Sequence, residues 1–378
     1  MRLALLAALM TGIHPAADAA SPAPPAELAG TWKGRIGPAE VMLCITDTGD
    51  AQTYYLRHRR GITLAAPNEA AGTPDAMRQA WQAGRLELLE QEKQVDRSTR
   101  ITGRWQLAPR SGTEAAGTWS DPAGTRSLPI TLTRLPGDAG HDPRMPGTGC
   151  GPAFYEPLRA AVRVKASPAR LGDRPYRMIE SEQATAFEVP PDTPHAARLN
   201  RFTLDWVRDQ AARAFDCDLM RGGPPSPLGA TLEPVWWTDR FLVMRDTLPE
   251  TYCGGAHGFW SIQSITWSVP QGRVVDTWTW LRGGEKALEA RTGPDGQPAR
   301  SPLFRLLTRH HPRNAKDDDC REVMDQMSVD APTPGPDGLT FQTSFFHAMR
   351  ACGDEVKLTW EQVAPHLSAA GRAVREGR

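Results

Sequence analysis

The chain has 378 residues, with 44 Lys plus Arg against 44 Asp plus Glu, so its formal net charge is zero. A neutral chain has no global field to attract nucleic acid or anionic lipid, which excludes functions that rest on bulk charge. The length predicts two domains, each large enough for its own hydrophobic core.

Arg2 precedes an apolar run from Leu3 to Met10, and a small-residue run from Ala16 to Ala20 follows. That order predicts a signal peptide over residues 1–20, with an A-x-A-like cleavage point at Ala17-Asp18-Ala19. The alternative is a retained N-terminal anchor. It is disfavoured because the apolar part is well short of the roughly 18 or more residues needed to cross a bilayer. No later segment is apolar enough to span one. The expectation is a periplasmic or secreted chain with no membrane span after cleavage.

Six cysteines follow: Cys44, Cys150, Cys217, Cys253, Cys320 and Cys352. An even number in an exported chain predicts disulfides, and no pair has the C-x-x-C spacing of a redox or zinc site. Spacing alone does not choose among the possible connectivities. Pairing in chain order is the expectation adopted, against the alternative that some stay as buried thiols.

From Leu28 to Leu135, short apolar runs alternate with turn clusters, the pattern of antiparallel strands. A small motif recurs as Gly30-Thr31-Trp32, Gly103-Arg104-Trp105 and Gly117-Thr118-Trp119, and is expected at strand starts. Val41, Leu43 and Ile45 alternate, as do Leu128, Ile130 and Leu132, so each strand offers one apolar face that needs a partner sheet or closure. An all-β, barrel-like domain over 28–135 is predicted. The Gly-x-Trp start resembles the opening of lipocalin-like barrels, which enclose apolar ligands. The preferred reading is that the tryptophans plug a small closed meander.

The Pro- and Gly-rich stretch 136–153 reads as a linker. Beyond it, over 154–370, helix and strand signals mix without regular alternation, which predicts an α+β domain of antiparallel sheet with helices. Thr193-Pro194 reads as an N-cap with proline at the first helical position, opening a helix to about Asp216. Strands are expected at Val235–Trp237, Phe241–Met244 and Ile265–Val269. Pro270-Gln271-Gly272 is read as a turn, with Val274, Val275 and the Trp278 region returning as the next strand. Leu339, Phe341, Thr343 and Phe345 alternate, then Val356, Leu358 and Trp360, with short helices between Ser301 and Met327 and after Thr359.

Three places in this second domain resemble the extracellular domain of the lysozyme-sensing anti-sigma factors of the RsiV type, a domain also found in exported proteins of unknown function. They are Leu199-Asn200 at the opening of the long helix, Cys253-Gly254-Gly255-Ala256-His257-Gly258 with the hairpin after it, and Gly338-Leu339-Thr340-Phe341 through Gly353 to Leu367. The likeness covers roughly 182–367. Phe345-Phe346-His347-Ala348-Met349 departs from it, because a tyrosine-containing segment is expected there. The chain also has no cytoplasmic anti-sigma segment. The resemblance implies the domain fold and the habit of binding something in the envelope.

The glycines around His257 permit positive backbone angles and could bring its imidazole to the surface beside Tyr252 and Trp260. Tyr252, Gly254, Gly255, His257 and Trp260 are therefore the candidate binding residues. The competing reading is a tight bend with His257 bonded to the backbone. Aromatic platforms stack on sugar rings or anchor protein partners, and one of the adjacent Trp236 and Trp237 is a further surface candidate. His310 and His311 with Asp317, Asp318 and Asp319 offer metal-ligand chemistry. Adjacent histidines diverge, however, by about 100° on a helix and to opposite faces on a strand, so a solvated charged turn is preferred. There is no nucleophile elbow and no S-x-x-K, and no catalytic residue, metal or cofactor is assigned.

The expectation is a non-catalytic binding protein of the cell envelope, recognising an envelope protein or cell-wall component, with a muramidase as one candidate. Animal lysozymes are strongly basic, and a neutral chain lacks the steering field that a dedicated binder would carry. The alternatives are a cell-wall-directed hydrolase or deacetylase, and a carrier of apolar small molecules within the first domain.

Overall fold

The computed structural model describes residues 28–46, 50–67, 81–82, 84–94, 96, 98–136, 150–221, 226–254, 257–289, 291–292, 298–314 and 317–376. The predicted signal peptide, most of the predicted linker, and Gly255 lie outside the described residues. The described chain falls into two compact units, one made of residues up to Gln94 and Ser98–Phe154, the other of the chain from Tyr155 onward with 95–97. Among the described residues no helix is long and apolar enough to cross a membrane.

The first unit is a closed antiparallel barrel. Its strands are β1 Gly30–Ile36, β2 Ala39–Ile45, β3 Ala51–Tyr55, β4 Ile62–Ala65, β5 Trp81–Gln82, β6 Arg85–Lys93, β7 Thr99–Pro109, β8 Glu114–Ser120 and β9 Ser127–Arg134. They run β4-β3-β2-β1-β9-β8-β7-β6, and β4 pairs β6 to close the ring, while β5 forms a hairpin on β6. Closure leaves no long edge open to another chain. Alternation does the sorting: on β6, Leu86, Leu88 and Glu90 are buried while Glu87 and Leu89 are less so.

Trp32, Leu43, Leu88, Trp105, Leu107 and Ile130 meet in one core. Each such side chain contributes roughly 1.5–3 kcal/mol when fully buried. Among the described residues the interior is occupied by the barrel's own side chains, and this weighs against the carrier reading. Cys44 is bonded to Cys150, and the Tyr54 hydroxyl donates to the Phe154 carbonyl at 2.6 Å.

Only the first Gly-x-Trp opens a strand; Gly103 and Gly117 lie inside β7 and β8. The reason at Gly103 is steric, because a Cβ there would come within 2.2 Å of the Trp119 indole nitrogen. Trp105 and Trp119 are cross-strand partners, and both indole N–H groups donate to Oε2 of Glu90, at 2.8 and 3.0 Å. The Tyr55 hydroxyl donates to the same oxygen at 3.2 Å, and Thr102 Oγ1 donates to Oε1 at 2.8 Å. Burial, and then the Glu90 charge, raise the Tyr55 hydroxyl far above its usual range.

The second unit is α+β. Strands β10 Lys165–Leu171, β11 Arg174–Glu180, β12 Ala184–Glu188, β13 Ala230–Trp237, β14 Phe241–Thr251, β15 Phe259–Ser268 and β16 Arg273–Val274 form one sheet in that order. It is antiparallel except at β12–β13, where the long helix Ala196–Arg221 makes the crossover that a parallel pair requires. Leu199 and Val207 of this helix pack on Leu232, Leu242, Met244 and Trp267. A second core joins Phe241 to Trp280, Leu303, Phe341, Val356 and Trp360.

Beyond the main sheet lie a two-stranded ribbon of β17 Arg291–Thr292 and β18 Pro298–Ala299 and a small sheet of β19 Ser328–Val329, β20 Thr333–Pro334, β21 Gly338–Ser344 and β22 Glu355–Thr359. In the small sheet β21 pairs the other three. The unit also holds helices Pro302–His310, Asp318–Glu322, Trp360–Val363 and Ala369–Glu376.

Three local expectations are corrected. The long helix starts at Ala196, not at Pro194, because His195 takes a positive φ of 60° that no helix accommodates. That residue is held by its ring nitrogen against the Pro270 carbonyl at 3.0 Å. The strand expected after the Gly272 turn is only Arg273–Val274, since the Asp276 carboxylate accepts the Trp278 N–H and starts a short 3-10 turn, Thr277–Trp280. Phe345 lies past the end of β21.

Candidate functional site

The loop between β14 and β15 is covalently pinned. Cys253 is bonded to Cys217 near the end of the long helix, and Gly254 turns beside it with φ of 84°. A Cβ at Gly254 would come within 2.4 Å of the Met220 carbonyl oxygen, so the chain passes where only glycine fits. Tyr252, on one side of the disulfide, is 54% exposed. On the other side, His257 is exposed and its ring lies 4.5 Å from that of His347, centroid to centroid, at a tilt of 38°. Trp260 is 39% exposed and its neighbour Phe259 is 49% exposed. Of the residues chosen from sequence, Tyr252, Gly254, His257 and Trp260 thus lie on or beside one exposed loop.

A second segment faces this loop. Phe346 precedes the 3-10 helix His347–Cys352, and Cys352 is bonded to Cys320 in the short helix Asp318–Glu322. The two segments are joined through Glu250, which accepts the Tyr252 hydroxyl and an Arg350 guanidinium N–H, both at 3.1 Å. Those two hydrogen bonds, Arg350's first, hold the Glu250 carboxyl below the usual range.

Between the first residues of β15 and the end of β21 lies an open cleft of about 350 Å³, lined by Phe259, Trp260, Gln263, Asp330, Gln342, His347 and Arg350 among others. Burial of its carboxyl raises Asp330 above the usual carboxylate range, although the residue as a whole is exposed. Sequence reasoning missed Phe259, Gln263, Gln342, Phe346 and Arg350.

The other singled-out residues lie elsewhere. Trp236 and Trp237 separate as adjacent strand residues do: Trp237 packs with the helix-side core and Trp236 with the opposite one. Trp236 also lines a second, more apolar cavity of about 500 Å³ with Phe241, Pro334, Pro336, Trp360 and Val374. His311 is buried and bonds Thr343 Oγ1 at 3.0 Å, while His310 is exposed and meets Gln362 at 3.3 Å. The two rings point apart. Asp317 is engaged as an N-cap, accepting the Cys320 N–H at 3.2 Å. Among the described residues no group of three or more ligating side chains is placed to hold a metal.

The six cysteines form three disulfides in chain order. No family model matches the chain, and no curated protein matches it. Solved structures similar to it include a member of the DUF3298 family from Bacteroides fragilis, at 14% identity and TM-score 0.32, and a DUF3298 family protein from Pseudomonas aeruginosa, at 13% identity and TM-score 0.33. Each likeness covers 55% of this chain and 94% of the other.

Proposed function

We propose that this chain is a non-catalytic binding protein of the cell envelope, periplasmic or secreted, whose recognition element is the cleft beside residues 252–260. One observation carries the reading. Tyr252, Phe259, Trp260 and Phe346 are all large, exposed and gathered around two facing segments, each held by a disulfide. Exposed aromatic surface is costly in water and is kept where something covers it, and a rigid mount reduces the ordering cost of binding. The resemblance to the RsiV-type domain supports an envelope role, and three disulfides suit an oxidising compartment. A muramidase is the protein partner that resemblance implies.

Co-sedimentation of the purified chain with isolated cell-wall material, and pull-down of a purified muramidase, test the reading. The wild-type chain binds at least one of them, and Trp260→Ala weakens that binding. A cell-wall hydrolase or deacetylase is the competing class. Turnover of the same material, with or without added divalent metal, that His257→Ala abolishes without unfolding the chain would overturn the proposal.

A further inference from the structure

Resting on the reading of this cleft as a binding site, we propose that its ligand is carbohydrate, a short run of linked pyranose rings. The cleft sets large aromatic rings beside side chains that both donate and accept hydrogen bonds. Phe259 and Trp260 supply the rings, and the Gln263 and Gln342 amides, the Asp330 carboxylate and the Arg350 guanidinium supply the polar edge.

A pyranose is amphiphilic in the matching way. Its axial C–H groups make an apolar face that stacks on an aromatic ring, and its equatorial hydroxyls each donate and accept, which is what planar amides and carboxylates satisfy in pairs.

Other ligand classes fit less well. A purely apolar ligand would strip water from the amides and the carboxylate without replacing those hydrogen bonds, which disfavours it. An anion such as phosphate would need free positive charge, but Arg350 is already paired with Glu250 at 3.1 Å, and Asp330 adds a carboxylate to the same cleft. The cleft volume of about 350 Å³ falls at the lower end of the range of small-molecule sites. The cleft is also open, as a chain that continues past the site at both ends would require.

The two disulfides matter to this ligand class in particular. Sugar contacts are individually weak, so a site whose walls need no reordering keeps most of what those contacts give. Cys217–Cys253 fixes the wall carrying the aromatic residues, and Cys320–Cys352 fixes the wall carrying His347 and Arg350.

The test is calorimetric titration of the purified, oxidised chain with a soluble chitooligosaccharide and, separately, with a cello-oligosaccharide of the same length. Saturable binding of either supports the proposal, and the difference between them tells whether acetamido groups are read. Trp260→Ala and Gln263→Ala each weaken binding about tenfold or more, whereas Val274→Ala, at an exposed apolar position away from the cleft, leaves it unchanged. Melting curves confirm that the exposed-site variants stay folded. Absence of binding to both sugars, or binding indifferent to both cleft variants, overturns the proposal. If the sugars fail while a purified muramidase is retained in a Trp260-dependent way, the ligand class is wrong and the binding function stands. If nothing is bound through Trp260, both fall.

Discussion

Oε2 of Glu90 accepts the indole N–H of Trp105 at 2.8 Å inside the barrel, where both residues are buried. The same oxygen serves Trp119 and Tyr55 and the other oxygen serves Thr102, so one carboxylate satisfies four donors. Glu90→Ala is expected to destabilise the barrel by about 3–5 kcal/mol, because it strands those donors. Glu90→Gln keeps an acceptor and costs less. Urea unfolding followed by tryptophan fluorescence measures both.

Asn200 acts as a strand partner made from a side chain. Its Oδ1 accepts the Val189 N–H at 2.8 Å and its Nδ2 donates to the Val189 carbonyl at 3.0 Å. Asn200→Ala leaves both backbone groups unserved and is expected to cost about 2 kcal/mol. Asn200→Asp loses the donor alone and falls between. Thermal melts of the two variants rank them.

At Gly254 the backbone angle is left-handed and the Met220 carbonyl lies where a Cβ would go. Gly254→Ala is expected to cost about 1–2 kcal/mol or more in strain. It should also displace Tyr252 and lower binding at the cleft. Comparing its melt with its ligand titration separates the two effects.

Asp216 is buried in the long helix, and burial pushes its carboxyl up to about 7, against the opposing hydrogen bond from Tyr155 and the charge of Arg159. The unfolded chain releases this proton near the ordinary carboxylate value of about 4. Between about pH 4 and 7 the folded state therefore holds the extra proton, and stability falls as pH rises across that window, by on the order of a few kcal/mol. Asp216→Asn should remove this slope. Urea midpoints at a series of pH values read it directly.

His311 has the opposite sign. Burial lowers its pKa, the Asp354 charge opposes this, and Arg313 adds to the lowering. Its Nδ1 accepts the Arg313 N–H at 3.2 Å, so Nε2 carries the proton and donates to Thr343 Oγ1 at 3.0 Å. Below about pH 6.5 the unfolded chain takes up a proton that the folded one refuses, so stability falls as pH drops through that value until the folded pKa is reached. Imidazole proton shifts followed by NMR should place His311 below the ordinary histidine value of about 6.5.

The barrel and the α+β unit were legible because Val41-Leu43, Ile130-Leu132 and Leu339-Phe341 keep a period of two, and period two is what a half-buried strand enforces. Glu90 was not legible. Its strand reads as a polar residue following two leucines, and nothing local says that two tryptophans from later strands will close on it. The helix start at Ala196 was hidden by a Thr-Pro pair that suits an N-cap, because the competing contact of His195 to Pro270 is remote in sequence. The aromatic loop around Tyr252 and Trp260 could be read from its glycines and its histidine. The opposite wall, from Phe346 to Arg350, could not, because it reaches the cleft only through tertiary folding.

Each disulfide joins a cysteine to the next one along the chain. A polypeptide oxidised as it emerges, N-terminus first, would form every bond with the partner that arrives soonest and would never have to break one to reach the final map. Such a chain can mature with an oxidant alone and without help from an isomerase.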